Sequence, residues 1–421
     1  MTETTISAAP DAPSTPVPPA VPPAVLRPVS AAARIEMLDI LRGFAILGIL
    51  AVNALAFAWP FEVFGNRDSA PFAWTGANLV SDWVVQVFFH DKSRSLFSML
   101  FGVSIFLVGG ERADKARGRL LRSRLFWLLL IGAVHGLAIW YGDILMHYAY
   151  TGFLMLLMRS MSARKLLWIG GGISLMWGVI GAAAAIVTAH LPPEMAGQMK
   201  PPEVDPAVIR ATIDQVRGGW AGAMLENAKA WLMVQGFSLF MIPVTLPLMM
   251  LGLGLFKSGW LSGKAPVWTY LLAVAVGAAI LAALGWYGWV ADNAEGDPTG
   301  GLAGALAQFG FVVTMGYAAA VILLSRSAFG VVTRLFAPVG RMAFTNYLTQ
   351  SLIMASLFYM PWGPRLYGQI EPGMLWAFIG GVWVLQLVWS PLWLSRFEMG
   401  PLEWVWRTLT YGRPAPLLKR V

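Results

Sequence analysis

The sequence predicts an all-α polytopic integral membrane protein with about ten transmembrane helices and both termini in the cytoplasm. Three observations carry this expectation. The first is composition: of 421 residues, 57% are hydrophobic and only 12% charged, about half the roughly 25% typical of soluble domains. The second is pattern: the apolar residues form continuous runs long enough to cross a bilayer, not the alternating segments of about ten residues that build a membrane β-barrel. The third is the placement of Lys and Arg. With the N-terminus inside, segments 1–35, 111–124, 159–165, 257–264, 325–341 and 395–421 hold 21 of these residues, and the intervening outer segments hold 8. That asymmetry orients the chain. The basic run from Arg112 to Arg124 makes the largest single contribution, while acidic residues such as Asp292, Glu295 and Asp297 collect outside.

Composition also excludes function classes. Cysteine is absent and histidine occurs only four times, so disulfides, cysteine-ligated metals and a His-rich metal site are not expected. The net charge of +8 lies in the inside loops and does not point to nucleic acid. No P-loop, GxSxG, HExxH or CxxC pattern is present, so ATP or zinc hydrolysis has no support, and no bound cofactor is expected.

Taken in order, residues 1–33 carry eight prolines among Ala, Ser and Thr and read as a disordered tail. They lack the basic start and apolar core of a secretory signal, which leaves targeting to the first span. Residues 34–394 form the transmembrane domain. Spans are expected near 37–58, 95–110, 125–141, 144–159, 166–189, 231–256, 266–290, 304–324, 342–362 and 373–394. A weaker amphipathic piece at 79–89 reads either as an interfacial helix or as part of a longer second span. Only Tyr141, Gly142 and Asp143 separate spans three and four, which dictates a tight helical hairpin. The long segment from His190 contains a helical stretch from Ala207 to Met233, open to two readings: a connector or a lid over an outward cavity. Residues 395–421 carry Trp404 and Trp406 among Arg396, Glu403, Arg407 and Tyr411. This mixture predicts a short amphipathic helix at the cytoplasmic interface, either an anchor or a cap on a cytoplasmic entrance. Glycine pairs such as Gly252 with Gly254, and Gly380 with Gly381, suggest close helix packing.

Charged and polar residues in apolar helices are costly, so each is a candidate for function. The first set lies in RIEMLDILRGFAILGILAVN, residues 34–53. At about 100° per residue, Asp39, Arg42 and Asn53 share one stripe. They serve either to lock helices together or to line a polar cavity in which Arg42 meets a phosphate or carboxylate. The second set is the hairpin LLLIGAVHGLAIWYGDILMHYAY. It places His135 roughly mid-span, Asp143 at the outer end, and His147 four residues further on, sharing a helix face with Asp143. Imidazole suits proton transfer near neutral pH and a carboxylate can orient it. On an ideal helix, His135 and Asp143 are about 80° apart, so their contact is an open question. The third is His90, Asp91, Lys92 and Arg94 in FFHDKSRSLFSMLFG, read as a solvated outer mouth of span two or as a cluster beside an outward cavity. The fourth is VGRMAFTNYLTQS, where Arg341 opens span nine and Asn346 and Gln350 share a face. Interhelical hydrogen bonding and the lining of the first-span cavity are both compatible with it.

These stretches, with the closing GPLEWVWRTLTYG, resemble the YeiB-like bacterial membrane proteins (domain of unknown function 418), in the same order over nearly everything after the tail. The LDxLRG pattern followed by Asn, carried by Leu38, Asp39, Leu41, Arg42, Gly43 and Asn53, is similar to that of transmembrane acyltransferases related to heparan-α-glucosaminide N-acetyltransferase. That wider resemblance implies a bacterial inner-membrane protein that moves an acyl group from cytoplasmic acyl-CoA, a co-substrate, to a sugar, lipid or small-molecule acceptor. The heparan-type enzymes carry a His just after the first span. The corresponding segment here, AFAWPFEVFGNRDSAPFAWTG, has none, and His90 and His135 are the nearest substitutes. The expected roles are His135 as base, Asp143 as its support, and Asp39, Arg42, Asn53, His147, Arg341 and Asn346 as donor- or substrate-binding residues. A transporter or translocator using the same intramembrane groups, and a structural membrane partner, are the alternatives. The bilayer is the expected partner, and a homo-oligomer is compatible with the sequence.

Overall fold

A computed structural model describes residues 36–199, 204–294 and 297–419. The expected tail at 1–33, and Glu295, lie outside these. The helices are arranged around α1 (Glu36–Ala58), most of whose residues are buried, with Glu36 placed in the first turn where the helix dipole favours an acid. A short helix α2 (Phe61–Gly65) follows. Then α3 (Gly76–Val84), a π-helical turn (Val85–Phe89) and α4 (Lys92–Gly109) run on as one apolar segment of 34 residues. The second span therefore begins near residue 76, not 95, and the 79–89 piece belongs to it. The charges at 90–94 pull that stretch below the apolarity of a span, but as part of one long segment they fall near its middle.

The hairpin forms as expected. It consists of α5 (Lys115–Ala138) and α6 (Leu145–Met158), followed by α7 (Ala163–Ala189). The long connection holds α8 (Pro193–Met199) and α9 (Pro206–Gly218). It is not a mere connector: Ile209 and Val216 of α9 are buried in the same apolar cluster as Trp140, Tyr141 and Tyr367, so α9 caps the hairpin tip. The helix expected from Ala207 to Met233 is interrupted at Gly219. Past it, α10 (Trp220–Phe240) and α11 (Ile242–Lys257) form a pair bent by 61°. Pro243 and Pro247 account for the bend, because proline supplies no backbone N–H and crowds the preceding turn.

The remaining elements are α12 (Val267–Asp292), α13 (Leu302–Ala307), α14 (Gly310–Ser325), α15 (Gly330–Arg334), α16 (Phe336–Arg341), α17 (Ala343–Phe358), α18 (Pro372–Arg396) and α19 (Pro401–Tyr411). Among the described residues, six helical segments are long and apolar enough to cross a bilayer, or eight if α10–α11 and α14–α16 each count as one bent span. The chain is thus an all-helical, multi-pass membrane protein. These crossings are fewer than the expected ten: 231–256 and 304–324 each fall on two helices, and α6 and α17, at 14 and 16 residues, are short for a full crossing.

Backbone approaches at glycine hold the centre. A side chain on Gly43 would run into the Phe336 carbonyl, and one on Gly340 into that of Asp39, so α1 and α16 cross backbone to backbone. Gly252 similarly meets Met99 of α4. Gly380 and Gly381, by contrast, face open space, with nothing within 4 Å of a side chain there among the described residues.

Candidate functional site

The second span is broken where the polar residues gather. The π-turn ends with the His90 N–H on the Val85 carbonyl, and Asp91 takes a left-handed φ of 60° before α4 begins. A non-glycine residue at positive φ is uncommon and costly, and such strain clusters at functional sites. The Lys92 ammonium folds back and donates to the Gln86 carbonyl at 2.8 Å. The His90–Arg94 cluster therefore falls inside the apolar segment Gly76–Gly109 and not at its end. It sits at a mid-span break, where Asp91 accepts two hydrogen bonds from Arg94, at 2.8 and 3.1 Å.

These residues line a chamber of about 510 Å³. Asn53 contributes from α1, His90, Asp91, Ser93 and Arg94 from the break, and Asp143 and His147 from the hairpin. Tyr347 contributes from α17, and Ser238 from the end of α10. The chamber thus lies between the two interrupted helices.

The hairpin turn makes the key contact. His135 is not mid-span: it stands in the last turn of α5, which ends at Ala138. The chain then folds back over six residues, so Asp143 precedes α6 and does not share a helix face with His147. This geometry brings the His135 Nδ1 within 2.8 Å of Asp143 Oδ1, a contact that ideal-helix spacing left open. Asp143 Oδ2 accepts the Met146 N–H at 2.9 Å, at the start of α6, where the helix dipole favours a carboxylate. Both groups are buried, at 2% and 4% exposure. His135 Nε2 has no hydrogen-bond partner. The His135 ring lies just behind the chamber wall, against Tyr347 at 5.4 Å. The Tyr347 hydroxyl pins the turn by accepting the Ile144 N–H and donating to the Gly142 carbonyl.

His147 has a different task. Its Nδ1 lies 3.1 Å from the Ser238 hydroxyl and its Nε2 2.8 Å from that of Thr245. Those residues flank the α10–α11 bend, so His147 staples the two halves of the broken span while facing the chamber.

The first-span stripe does not converge on one site. Arg42 pairs with Asp39 at 2.7 Å and donates to Ser104 at 3.3 Å. Asn53, eleven residues on, lies roughly 16 Å further along α1 at 1.5 Å per residue. A single pocket joining Arg42, Asn53 and His135 is not what forms: Asn53 belongs to the chamber, while Arg42 belongs to the end where α1 begins.

Among the described residues, span nine lines the chamber through Tyr347. Asn346 is fully buried, donates to the Val339 carbonyl and Ser390, and accepts from Trp389. Gln350 donates to the Ile46 carbonyl and to Gln386, which itself donates to the Asn346 carbonyl. Asn346 thus binds helices together. Arg341 ends α16 and donates to the Glu398 carbonyl, close to the C-terminal segment.

That segment forms the expected amphipathic helix, α19, and docks firmly. Glu403 accepts the backbone N–H groups of Phe344 and Thr345 and the Thr345 hydroxyl, capping the start of α17. The Arg124 guanidinium lies 3.6 Å from the Trp406 ring centroid, and the Trp406 indole donates to the Arg124 carbonyl. Burial pushes the Glu403 carboxyl above its ordinary range, against the opposing hydrogen bonds from Thr345.

In the sequence, Asp91 and Arg94 are open between a solvated mouth and a cavity cluster, and Tyr347 has no expected role. The signal for the first two was available: treating 76–109 as one apolar segment puts the charges halfway along it. Tyr347 carried no signal beyond its position between Asn346 and Gln350.

Comparisons with known proteins place the chain in a family. A family model described as "Protein of unknown function (DUF418)" matches residues 255–413. "Uncharacterized protein YxaH" of Bacillus subtilis (strain 168) is 30% identical over 426 residues, covering 94% of this chain and 98% of the relative. "Uncharacterized protein YeiB" of Escherichia coli (strain K12) is 30% identical over 416 residues, covering 91% and 98%. An "Uncharacterized 39.9 kDa protein in amylase 3'region" of Bacillus acidopullulyticus is 27% identical, covering 93% and 98%. No solved structure matches the chain. The chain belongs to the YeiB-like DUF418 family.

Proposed function

We propose that this member of the YeiB-like DUF418 family is a bacterial inner-membrane acyltransferase, with both termini in the cytoplasm and the chamber in the outer half of the bilayer. The observation that carries this reading is the His135–Asp143 pair: Nδ1 is held at 2.8 Å and Nε2 is left without a partner. This has two features of a general base, a ring oriented by a carboxylate and an unpaired second nitrogen, and the Tyr347 ring has to move aside for an acceptor in the chamber to reach it. The acceptor hydroxyl or amine gives its proton to Nε2 and forms a bond to the acyl carbon of a thioester donor. The carbon–sulfur bond then breaks, and the leaving thiolate recovers the proton from His135. Arg94 and Asn53 line the chamber as donors for the charge that develops on the carbonyl oxygen. The donor is a CoA-type molecule whose phosphates meet Arg42 and Arg124 at the cytoplasmic end, and whose flexible arm covers the distance to Asn53.

The test is transfer of a labelled acyl group from acyl-CoA by purified protein in lipid. Loss of about 10²–10⁴-fold in His135→Ala is the expected result. Survival in His135→Ala with loss in His90→Ala moves the base to His90, which lines the chamber but lies 3.6 Å from Asp91, too far for a firm orienting bond. Survival in both overturns the mechanism.

A second reading has its own observation. Two broken helices, at Asp91 and at Met241, flank one mid-bundle chamber, an arrangement used by transporters to bind solutes. Solute flux into proteoliposomes without covalent change would favour translocation.

A further inference from the structure

A second cavity, of about 420 Å³, adjoins the chamber: Val52 and His90 line both. Its charged groups are Arg67, Asp82 and Asp292, with His90 at the chamber side. Arg67 lies 2.7 Å from Asp292 and 3.3 Å from Asp82, with the Trp74 ring 4.9 Å away. One guanidinium therefore faces two carboxylates, and the cavity keeps an excess of negative charge.

On its other side this vestibule borders an apolar groove of about 710 Å³ between α3, the π-turn and α12. Trp83 and Val87 line both the groove and the vestibule. Opposite them α12 presents Gly285 and Gly288, which put no side chain between the two spaces. The Trp83 indole donates to the Gly285 carbonyl at 2.9 Å, so the partition consists of that ring and Val87. Trp83, Trp286 and Trp289 gather near the end of α12, in the manner of residues at a membrane–water interface.

We propose that vestibule and groove form one site for an amphiphile drawn from the bilayer, its aliphatic chain in the groove and an amine-bearing head in the vestibule against Asp82, Asp292 and His90. The chain belongs in the groove because the groove is apolar and opens on the exposed face of α12, a helix long and apolar enough to cross a bilayer. The head belongs in the vestibule because that is where the polar groups are, and a bound ligand displaces the Trp83 ring from the Gly285 carbonyl to join the two spaces. The charge balance selects the head: an ammonium offsets the second carboxylate, whereas a phosphate adds to it. On the acyl-transfer reading this ligand is the acceptor, brought beside the chamber through His90. That identification rests on the reading, but the binding does not.

Native mass spectrometry of the purified full-length protein, with hexadecylamine or hexadecyl phosphate added at equal concentration, tests the site without any turnover. Hexadecylamine is expected to be retained roughly ten-fold more strongly than hexadecyl phosphate. Ala282→Trp, which fills the groove from an exposed position, is expected to release it. Asp292→Asn is expected to narrow the preference for the amine. If that variant does not fold by size exclusion and circular dichroism, Asp82→Asn gives the same reading and leaves the 2.7 Å bond in place. Equal retention of the two probes, or amine retention unchanged by Ala282→Trp, overturns the proposal. Absence of acyl transfer leaves it standing, and failure of binding leaves the acyl-transfer reading to its own assay.

Discussion

Two groups of polar residues sit inside this bundle, and they differ in one respect. In the α17–α18 network, Asn346, Gln350, Gln386 and Ser390 satisfy one another and neighbouring carbonyls. In the chamber, Arg94 and Asn53 open on space, and behind its wall His135 keeps an unpartnered nitrogen. Both groups are polar residues on apolar helices and look alike in a sequence. Saturation separates them. A closed network fixes helix positions and has nothing left to offer a ligand, whereas an open one gives up stability and keeps donors and acceptors available.

The sharpest way to break this contrast is Asp143→Asn. It removes the orienting carboxylate, and we expect turnover in the acyl-transfer assay to fall by about 10²-fold or more with the helical circular dichroism signal intact. Wild-type rates in that variant would erase the distinction between the two groups. Asn346→Leu is the converse experiment. It strands several buried partners, so thermal unfolding in detergent should show a loss of about 1–3 kcal/mol, with per-molecule turnover preserved in the folded fraction. A change in turnover with no change in stability would place Asn346 at the site after all.

The natural absence of cysteine allows a third comparison. Ser93→Cys faces the chamber and should react with a small thiol reagent, while Ser351→Cys, at 1% exposure beside the closed network, should stay protected. Equal labelling would show the network to be open too. The smallest expected effect concerns Glu403. Burial raises its folded pKa above the ordinary 4.5. The stability linked to its protonation is therefore fully present below the unfolded pKa and is lost as pH rises through the folded one. Hydrogen exchange at the start of α17 should accordingly quicken, beyond its intrinsic pH dependence, as pH is raised from about 4, and Glu403→Gln should flatten that excess. An unchanged excess in the variant would remove Glu403 as its source.

Particular residues show where the sequence was readable. The one-face stripe of Asp39 and Arg42 became a 2.7 Å ion pair, because three residues on a helix suffice to define a neighbour. The tight hairpin followed from three residues between two apolar runs. Arg94 was misplaced because its charge lowers the apparent apolarity of the span that contains it, and because a mid-span break is invisible to a pattern that assumes an unbroken helix. His135 and Asp143 could not be joined by helical spacing, since the helix ends between them and the turn decides the geometry. The capping role of α9 was equally out of reach, because burying Ile209 and Val216 depends on a partner surface assembled from distant segments.

By itself, then, the sequence determined the class of protein, its helical membrane architecture and the identity of the costly polar residues. Those follow from transfer free energy and local periodicity, both of which act along the chain. The tertiary structure alone decided which of those residues saturate each other and which face a chamber. That outcome depends on where helices break and cross, at Asp91, at the α10–α11 bend and where Gly43 meets Gly340, and on distances between groups up to hundreds of residues apart.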